Sequence, residues 1–276
     1  MYTGKYKYAI NALGGAHLSP DEHAKLLREV GWDGFFTGWN AEKTPLWRAA
    51  AEKYGLLYTS IHAPFTGVAA MWRDAKAAQK EIDTYLACLE DCAKHQIPVM
   101  VLHPFIGFED HTPTEAGIEN FAKVVDRADA LGITLGFENV EGEEYLSALY
   151  QAFGNHPSFG FCFDAGHELC YNRGKDMLAL YGHKLCHTHL NDNVGVTGEN
   201  IFWTDDLHLV MGDGIADWEG VMRRIRACNY AGVLTCELTL ANKPDKHTHD
   251  GYAAMPINDF YALALSRMKA IGQLGR

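Results

Sequence analysis

The sequence predicts an α/β fold, a single (β/α)8 TIM barrel occupying residues 1–276, and three observations predict it. Short apolar runs alternate with amphipathic stretches along the whole chain, as strands alternate with helices in a barrel. The runs show little alternation of apolar and polar residues, as expected of parallel strands covered by helices. The length of 276 residues suits one barrel of about 250 residues better than two small domains.

Taken in order, the strand runs are 6–11, 34–37, 56–62, 99–103, 133–138, 159–164, 185–190 and 233–237. Helical patterns lie between them. Ser19–Pro20–Asp21–Glu22 supplies a cap, a proline at the first helical position and acids in the first turn. Thr112–Pro113–Thr114–Glu115 repeats that start signal. Ile118, Phe121, Val124, Val125, Ala128 and Leu131 recur at three- and four-residue steps, as do Trp218, Val221, Met222, Ile225 and Cys228. No low-complexity linker divides the chain. The longest irregular stretches, roughly 191–216 and 239–256, have lengths usually given to functional or mobile loops. An open, doubly wound sheet is the structural alternative. It needs a Gly-rich first turn, and Leu13–Gly14–Gly15–Ala16 lacks the dinucleotide spacing.

Composition narrows the function. Hydrophobic residues make up 47% of the chain, enough for a sizeable core. A net charge of −11 repels polyanions, which disfavours nucleic acid as a partner and, weakly, a heavily phosphorylated substrate. The seven cysteines form no CxxC pair; Cys88 and Cys92 share a helical pattern and Cys162, Cys186 and Cys236 lie in strands, so they read as buried, reduced thiols. The opening MYTGKYKYAI has no signal-peptide core. No apolar run approaches the roughly 20 residues of a membrane span. The expectation is a cytoplasmic enzyme without a membrane partner, compatible with a homo-oligomer.

The chemistry concentrates at strand ends. Glu138, Asp164, His189 and Glu237 close the runs ITLGFEN (133–139), FGFCFD (159–164), LCHTHLND (185–192) and VLTCEL (233–238). Alone, each is as well read as a cap for the following helix. Together, on consecutive strands, three carboxylates and one imidazole make a mononuclear site for a divalent metal ion, suited to Mn2+, Mg2+ or Co2+, with Zn2+ compatible. Neighbouring strands in an eight-stranded barrel are rotated by about 45°, so Glu138 and Glu237 face each other across the mouth. A sugar chelated between them would have its C–H acidified beside a polarised carbonyl. One glutamate can remove that proton and the other return it. Opposed bases give epimerisation; return to the neighbouring carbon through an enediolate gives aldose–ketose isomerisation.

Further candidates surround the quartet. His62 and His103 end the third and fourth strands and point into the mouth, as substrate contacts or as hydrogen-bonded structural residues. His187, two residues before His189, lies beneath the metal or in the core. Glu144 could reach a terminal substrate hydroxyl or be a solvated helix-start acid. Trp39, Phe65, Trp72 and Trp203 fall in or near mouth loops, for sugar faces, packing or a subunit contact. His247 and His249 read as surface residues.

At these residues the chain resembles the xylose-isomerase-like barrel superfamily, which holds sugar isomerases and epimerases, including ketose 3-epimerases, and the endonuclease-IV-type apurinic endonucleases. The resemblance rests on SIHAPF (60–65), VLHPF (101–105), FENVEG (137–142), FDAGHE (163–168), HTHLNDN (187–193), DLHLVMGDGIADW (206–218) and GVLTCEL (232–238). In the epimerase branch it implies metal ligation by Glu138, Asp164, His189 and Glu237, with Glu138 and Glu237 as the acid/base pair and His167 on a substrate hydroxyl. Ketose 3-epimerases usually carry an arginine shortly after the strand-seven histidine; here Asn191–Asp192–Asn193 follows. In the endonuclease branch it implies three zinc ions on His62, His103, Glu138, Asp164, His167, His189, Asp206, His208 and Glu237. The N-terminal third lacks that branch's DNA-gripping pattern. The expectation is therefore a sugar isomerase or epimerase with a small-molecule sugar partner, with Asp206 and His208 among the substrate contacts. The alternatives are a multinuclear zinc phosphodiesterase or another metal-dependent barrel lyase or dehydratase.

Overall fold

The apolar runs, rich in aromatic and β-branched residues, form eight strands: β1 (Tyr8–Asn11), β2 (Gly34–Gly38), β3 (Leu57–His62), β4 (Val99–Leu102), β5 (Thr134–Glu138), β6 (Phe159–Asp164), β7 (Leu185–His189) and β8 (Leu234–Cys236). In this computed structural model residues 4–13, 17–109, 111–196 and 198–275 are described; Gly14, Gly15 and Ala16 of the Leu13–Ala16 stretch lie outside them. All strand pairs are parallel, in the order β7-β6-β5-β4-β3-β2-β1-β8. The ring closes between β7 and β8 through Leu190 N donating to Thr235 O at 2.8 Å and Glu237 N donating to Leu190 O at 3.2 Å. Leu190 and Glu237 thus serve the closure although they fall just outside the two strands. The fold is the expected (β/α)8 barrel.

The described helices are α1 (Pro20–Val30), α2 (Thr44–Tyr54), α3 (Ala75–Lys94), α4 (Glu115–Leu131), α5 (Glu143–Phe153), α6 (Ala165–Leu169), α7 (Met177–Tyr181), α8 (Trp218–Ala227), α9 (Asp250–Ala253) and α10 (Ile257–Ile271). Eight-and-eight alternation is therefore not strict: α6 and α7 share one crossover, and α9 lies in the loop after β8. Ser19 caps α1 in a full capping box with Glu22 and places Pro20 at its start. The second start signal sits two residues later than its Thr-Pro dipeptide suggests. Thr114 caps α4 by accepting from Gly117 N at 3.0 Å, while Thr112 N is committed to the Tyr145 hydroxyl. All seven cysteines are free thiols. No helix among the described residues is long and apolar enough to cross a membrane.

One core group makes stability sensitive to pH. His23 on α1 is buried beside Trp47 and Tyr261 and hydrogen-bonded to the Tyr261 hydroxyl. Burial pushes its pKa down to about 4. The unfolded chain, near the usual 6.5, then binds a proton that the folded state refuses, so this contribution is complete above about pH 6.5 and is lost as pH falls towards 4. Thermal melts should show His23→Gln losing less stability between pH 6.5 and 4 than the parent, by about 3 kcal/mol at most. Parallel curves for the two proteins would refute the assignment.

Candidate metal centre

Parallel pairing brings the strand ends to one level: Asp164 stands opposite His189 in the β6–β7 ladder, and His62 opposite Gly38 in β2–β3. Glu138 is the last residue of β5, and Glu237 follows β8 directly. One ligand atom from each of Glu138, Asp164, His189 and Glu237 lies within 4.8 Å of the other three, among the first three wholly enclosed residues and the half-buried Glu237. The four residues singled out in the sequence are thus brought together. His189 Nδ1 is the hub, 2.9 Å from Glu138 Oε1 and 3.2 Å from Glu237 Oε2. Its ring stacks on Phe36 at 4.7 Å, which fixes its plane.

Asp164 is held by its surroundings. It caps α6, accepting from His167 N at 2.6 Å and from Asn191 Nδ2 at 2.7 Å. Asn139 grips its backbone on both sides, at 2.8 Å each. Gly166 makes this possible, because a Cβ there would stand 1.8 Å from Asn191 Oδ1. Asn191–Asp192–Asn193, where an arginine was the reference, is therefore a structural device. Asp192 accepts from Gly212 N, Ala216 N and Trp218 Nε1 at 2.7, 3.0 and 2.9 Å and fastens the long loop after β7.

That loop delivers Asp206 and His208. His208 Nε2 meets Asp206 Oδ2 at 3.0 Å, and its Nδ1 lies 3.0 Å from the Glu237 carbonyl. His208 holds a left-handed backbone, φ 53°, sparsely allowed for a side-chain-bearing residue. His167 Nε2 faces Asp206 Oδ1 at 3.4 Å. His62 and His103 reach Glu138 Oε2 at 3.3 and 3.4 Å. Among the further three-residue groups within reach of a single ion are His62–His103–Glu138 and His167–Asp206–His208.

The electrostatics set enclosed acids against the imidazoles that face them. Burial pushes the Asp164 carboxyl up to about 6 against the pull of His167 and His208. Burial also opposes ionisation of Glu138 and Glu237, but His189 and its neighbours outweigh it. Glu138 stands well below the usual carboxylate range and Glu237 is drawn down to about 2. For His189 burial is likewise outweighed, by Cys162, Glu237 and Glu138, and its pKa stands well above the usual histidine range. The donor set at this hub, hard oxygens and one imidazole, is the kind that holds a hard or borderline divalent cation. The residues fit a divalent ion. His187, hydrogen-bonded to Ser60 Oγ at 3.1 Å and pushed down to about 3 by burial, is a neutral core residue beneath His189.

A cavity of about 440 Å3 opens above the cluster, lined by His62, His103, His167, Asp206, His208 and Glu237. Glu138 lies under its floor. Sequence reading passed over Glu141, Tyr171 and Lys243, which also line it. Glu141 was in view inside FENVEG; Lys243 carried no signal, since only the return of the loop after β8 brings its Nζ to 3.7 Å from Asp206 Oδ2. Glu144 is outside this cavity, paired with His111 at 2.7 Å in an adjoining one. Trp39 donates to Asp91 at 2.8 Å and lines a third cavity that shares His62, Phe65 and Glu237. Trp72 is buried, donating to Pro104 O at 2.7 Å. His247 is exposed as expected, but His249 is enclosed, because its backbone N–H donates to Asn242 Oδ1 at 2.7 Å and its ring packs against Tyr252.

A family model described as xylose isomerase-like TIM barrel matches residues 24–255. A probable endonuclease 4 of Chloroflexus aurantiacus is 24% identical over 186 residues, 63% of this chain and 64% of that protein. The curated relatives are matched over only 29% to 64% of their own lengths. Among solved structures, D-psicose 3-epimerase with D-tagatose from Clostridium cellulolyticum H10 superposes with a TM-score of 0.74 at 15% identity, covering 96% of this chain and 99% of that one. A D-tagatose 3-epimerase-like protein gives 0.69 at 18% identity, covering 95% and 99%. At these identities the structures establish likeness of fold.

Proposed function

The chain belongs to the xylose isomerase-like TIM barrel family, and from that premise we propose that it is a divalent-metal-dependent sugar isomerase or epimerase that moves a proton next to a ketose carbonyl. One observation carries the reading: Glu138 and Glu237, from strands that are not neighbours, meet the same His189 nitrogen at 2.9 and 3.2 Å beneath an open cavity. The ketose epimerases among the structural neighbours support it.

Glu138, Asp164, His189 and Glu237 would hold the ion, Mn2+, Mg2+ or Co2+ with Zn2+ compatible. Bound there, it supplies the Lewis acidity that makes a C–H beside a carbonyl acidic. Both glutamates are ionised at neutral pH by the imidazoles around them, so each can accept a proton at a carboxylate oxygen. Glu237 opens into the cavity, while His62 and His103 hold Glu138 from its other side. His167, Asp206 and His208 offer donors and an acceptor to substrate hydroxyls. The abstracted proton stays on the first glutamate. Delivery of a different proton to the opposite face by the other glutamate, which must first take one from solvent, gives an epimer; return of the abstracted proton by the first glutamate to the adjacent carbon gives an aldose.

The test is solvent exchange. Mn2+-loaded protein in D2O should exchange a carbon-bound hydrogen beside the carbonyl of at least one ketose among fructose, psicose, tagatose and sorbose, read by proton NMR. Silence across the panel removes the proposal. A second reading, a multinuclear phosphodiesterase, is favoured by one observation, the additional groups His62–His103–Glu138 and His167–Asp206–His208. The charge of −11 opposes it, because a duplex backbone must approach this mouth.

A further inference from the structure

Four Phe and Trp side chains are exposed among the described residues: Phe65, Phe108, Phe202 and Trp203, at 39%, 40%, 57% and 53%. All four line the mouth. Phe65 and Trp203 border the cavity over the metal cluster, Phe202 borders the adjoining cavity of about 620 Å3, and Phe108 borders both. They come from three different loops, after β3, β4 and β7. Exposing such rings costs solvation, and their collection on one rim marks a ligand surface rather than scattered surface apolarity.

The two cavities adjoin. Phe108, Glu141 and Tyr171 belong to both, and Tyr171 packs on His167 at 4.9 Å on one side and on Phe108 at 6.0 Å on the other. Tyr171 and Phe108 therefore stand at the border between the cavity over the reacting centre and the one that reaches Phe202. The inner cavity alone, at about 440 Å3, is already in the size range of ligand pockets of about 300–1,000 Å3. A free hexose leaves the outer one empty.

The outer walls state what the extension is. Glu109, Glu141, Glu143, Glu144 and Glu199 line it, against two cations. Lys175 is paired with Glu143 at 2.5 Å, and Arg173 donates to the Glu199 carbonyl. Such a wall repels a phosphate and offers acceptors to hydroxyls.

We propose that the substrate is a ketose carrying a second, uncharged sugar ring, which lies in the outer cavity against Phe108 and Phe202. This rests on the sugar reading of the metal cluster and deepens it. Isothermal titration calorimetry on Mn2+-loaded protein would compare D-fructose, isomaltulose (fructose glucosylated at O6) and fructose 6-phosphate. Isomaltulose should bind about tenfold or more tightly than fructose, and fructose 6-phosphate more weakly. Phe202→Ala should bring the isomaltulose-to-fructose affinity ratio towards one, and Phe202→Tyr should keep it. Equal affinities, or tightest binding of the phosphate, overturn this proposal and leave the sugar reading standing. No binding of any of the three overturns both. Sedimentation showing a dimer that Phe202→Ala dissociates also overturns it, because the rim would then be a contact between two copies.

Discussion

Replacing Glu237 by glutamine should lower interconversion of two epimeric ketoses by about 10^2- to 10^4-fold, the span ordinarily contributed by one positioned acid/base group. The substitution suits the site. Glu237 is half-buried with its side chain 21% exposed, so an isosteric amide leaves no cavity and strands no enclosed charge. Glu138 is a poorer probe: fully enclosed, it answers His62, His103 and His189 together, and its loss would disturb three imidazoles as well as the chemistry. The opposed-base arrangement also predicts an asymmetry. In Glu237→Gln the surviving Glu138 can take and return a proton only on its own face. Deuterium should then enter one epimer from D2O while interconversion is lost. Equal exchange into both epimers at the parent rate would remove Glu237 from the mechanism. A melt and circular dichroism on the variant separate lost chemistry from lost fold.

The barrel was legible because its physics is local and periodic. Apolar runs of four to seven residues, caps such as Ser19 and helical spacings such as 118–131 each act within a few residues of chain. The quartet was legible for the same reason: a strand end is a local feature, and parallel pairing does the rest. What escaped notice depends on long-range closure. His249 was read as a surface residue, and only the fold-back of its loop onto Asn242 encloses it. Lys243 reaches the cavity by the same loop. The role of Asn191–Asp192–Asn193 was equally hidden, since Asp192 finds its partners 20 to 26 residues away, at Gly212, Ala216 and Trp218. The aromatic rim needed three loops to be assembled before four separate residues became one surface.

Removing the divalent ion should abolish exchange and destabilise the protein at once. With the ion at a hundredfold excess over its Kd, chelation costs about 2.7 kcal/mol of stability, a fall in Tm of roughly 5–10 °C for a chain of this size. The effect follows from the crowding of acids at the hub: three carboxylates gather around His189, and burial, with Glu138 and Glu237 beside it, holds Asp164 up at about 6 against the pull of His167 and His208. It also has a sign in pH. The His189 pKa is raised by Cys162, Glu237 and Glu138 against the effect of burial, so a proton competes with the ion for Nδ1 and metal affinity should rise with pH. Titrating metal-free protein with Mn2+ and with Zn2+, read by mass spectrometry of the native chain, decides the number of ions. One ion per chain, lost in Asp164→Asn, fits the sugar reading. His167 and His208 are then hydroxyl contacts, and their replacement by Gln raises KM while the ion stays bound. Three ions per chain, with one lost on replacing His208 and nicking of abasic-site DNA gained on loading, would transfer the same nine residues to phosphodiester chemistry. The acidic rim of Glu109, Glu141, Glu143, Glu144 and Glu199 weighs against that outcome, because a polyanion pays for every one of them on approach.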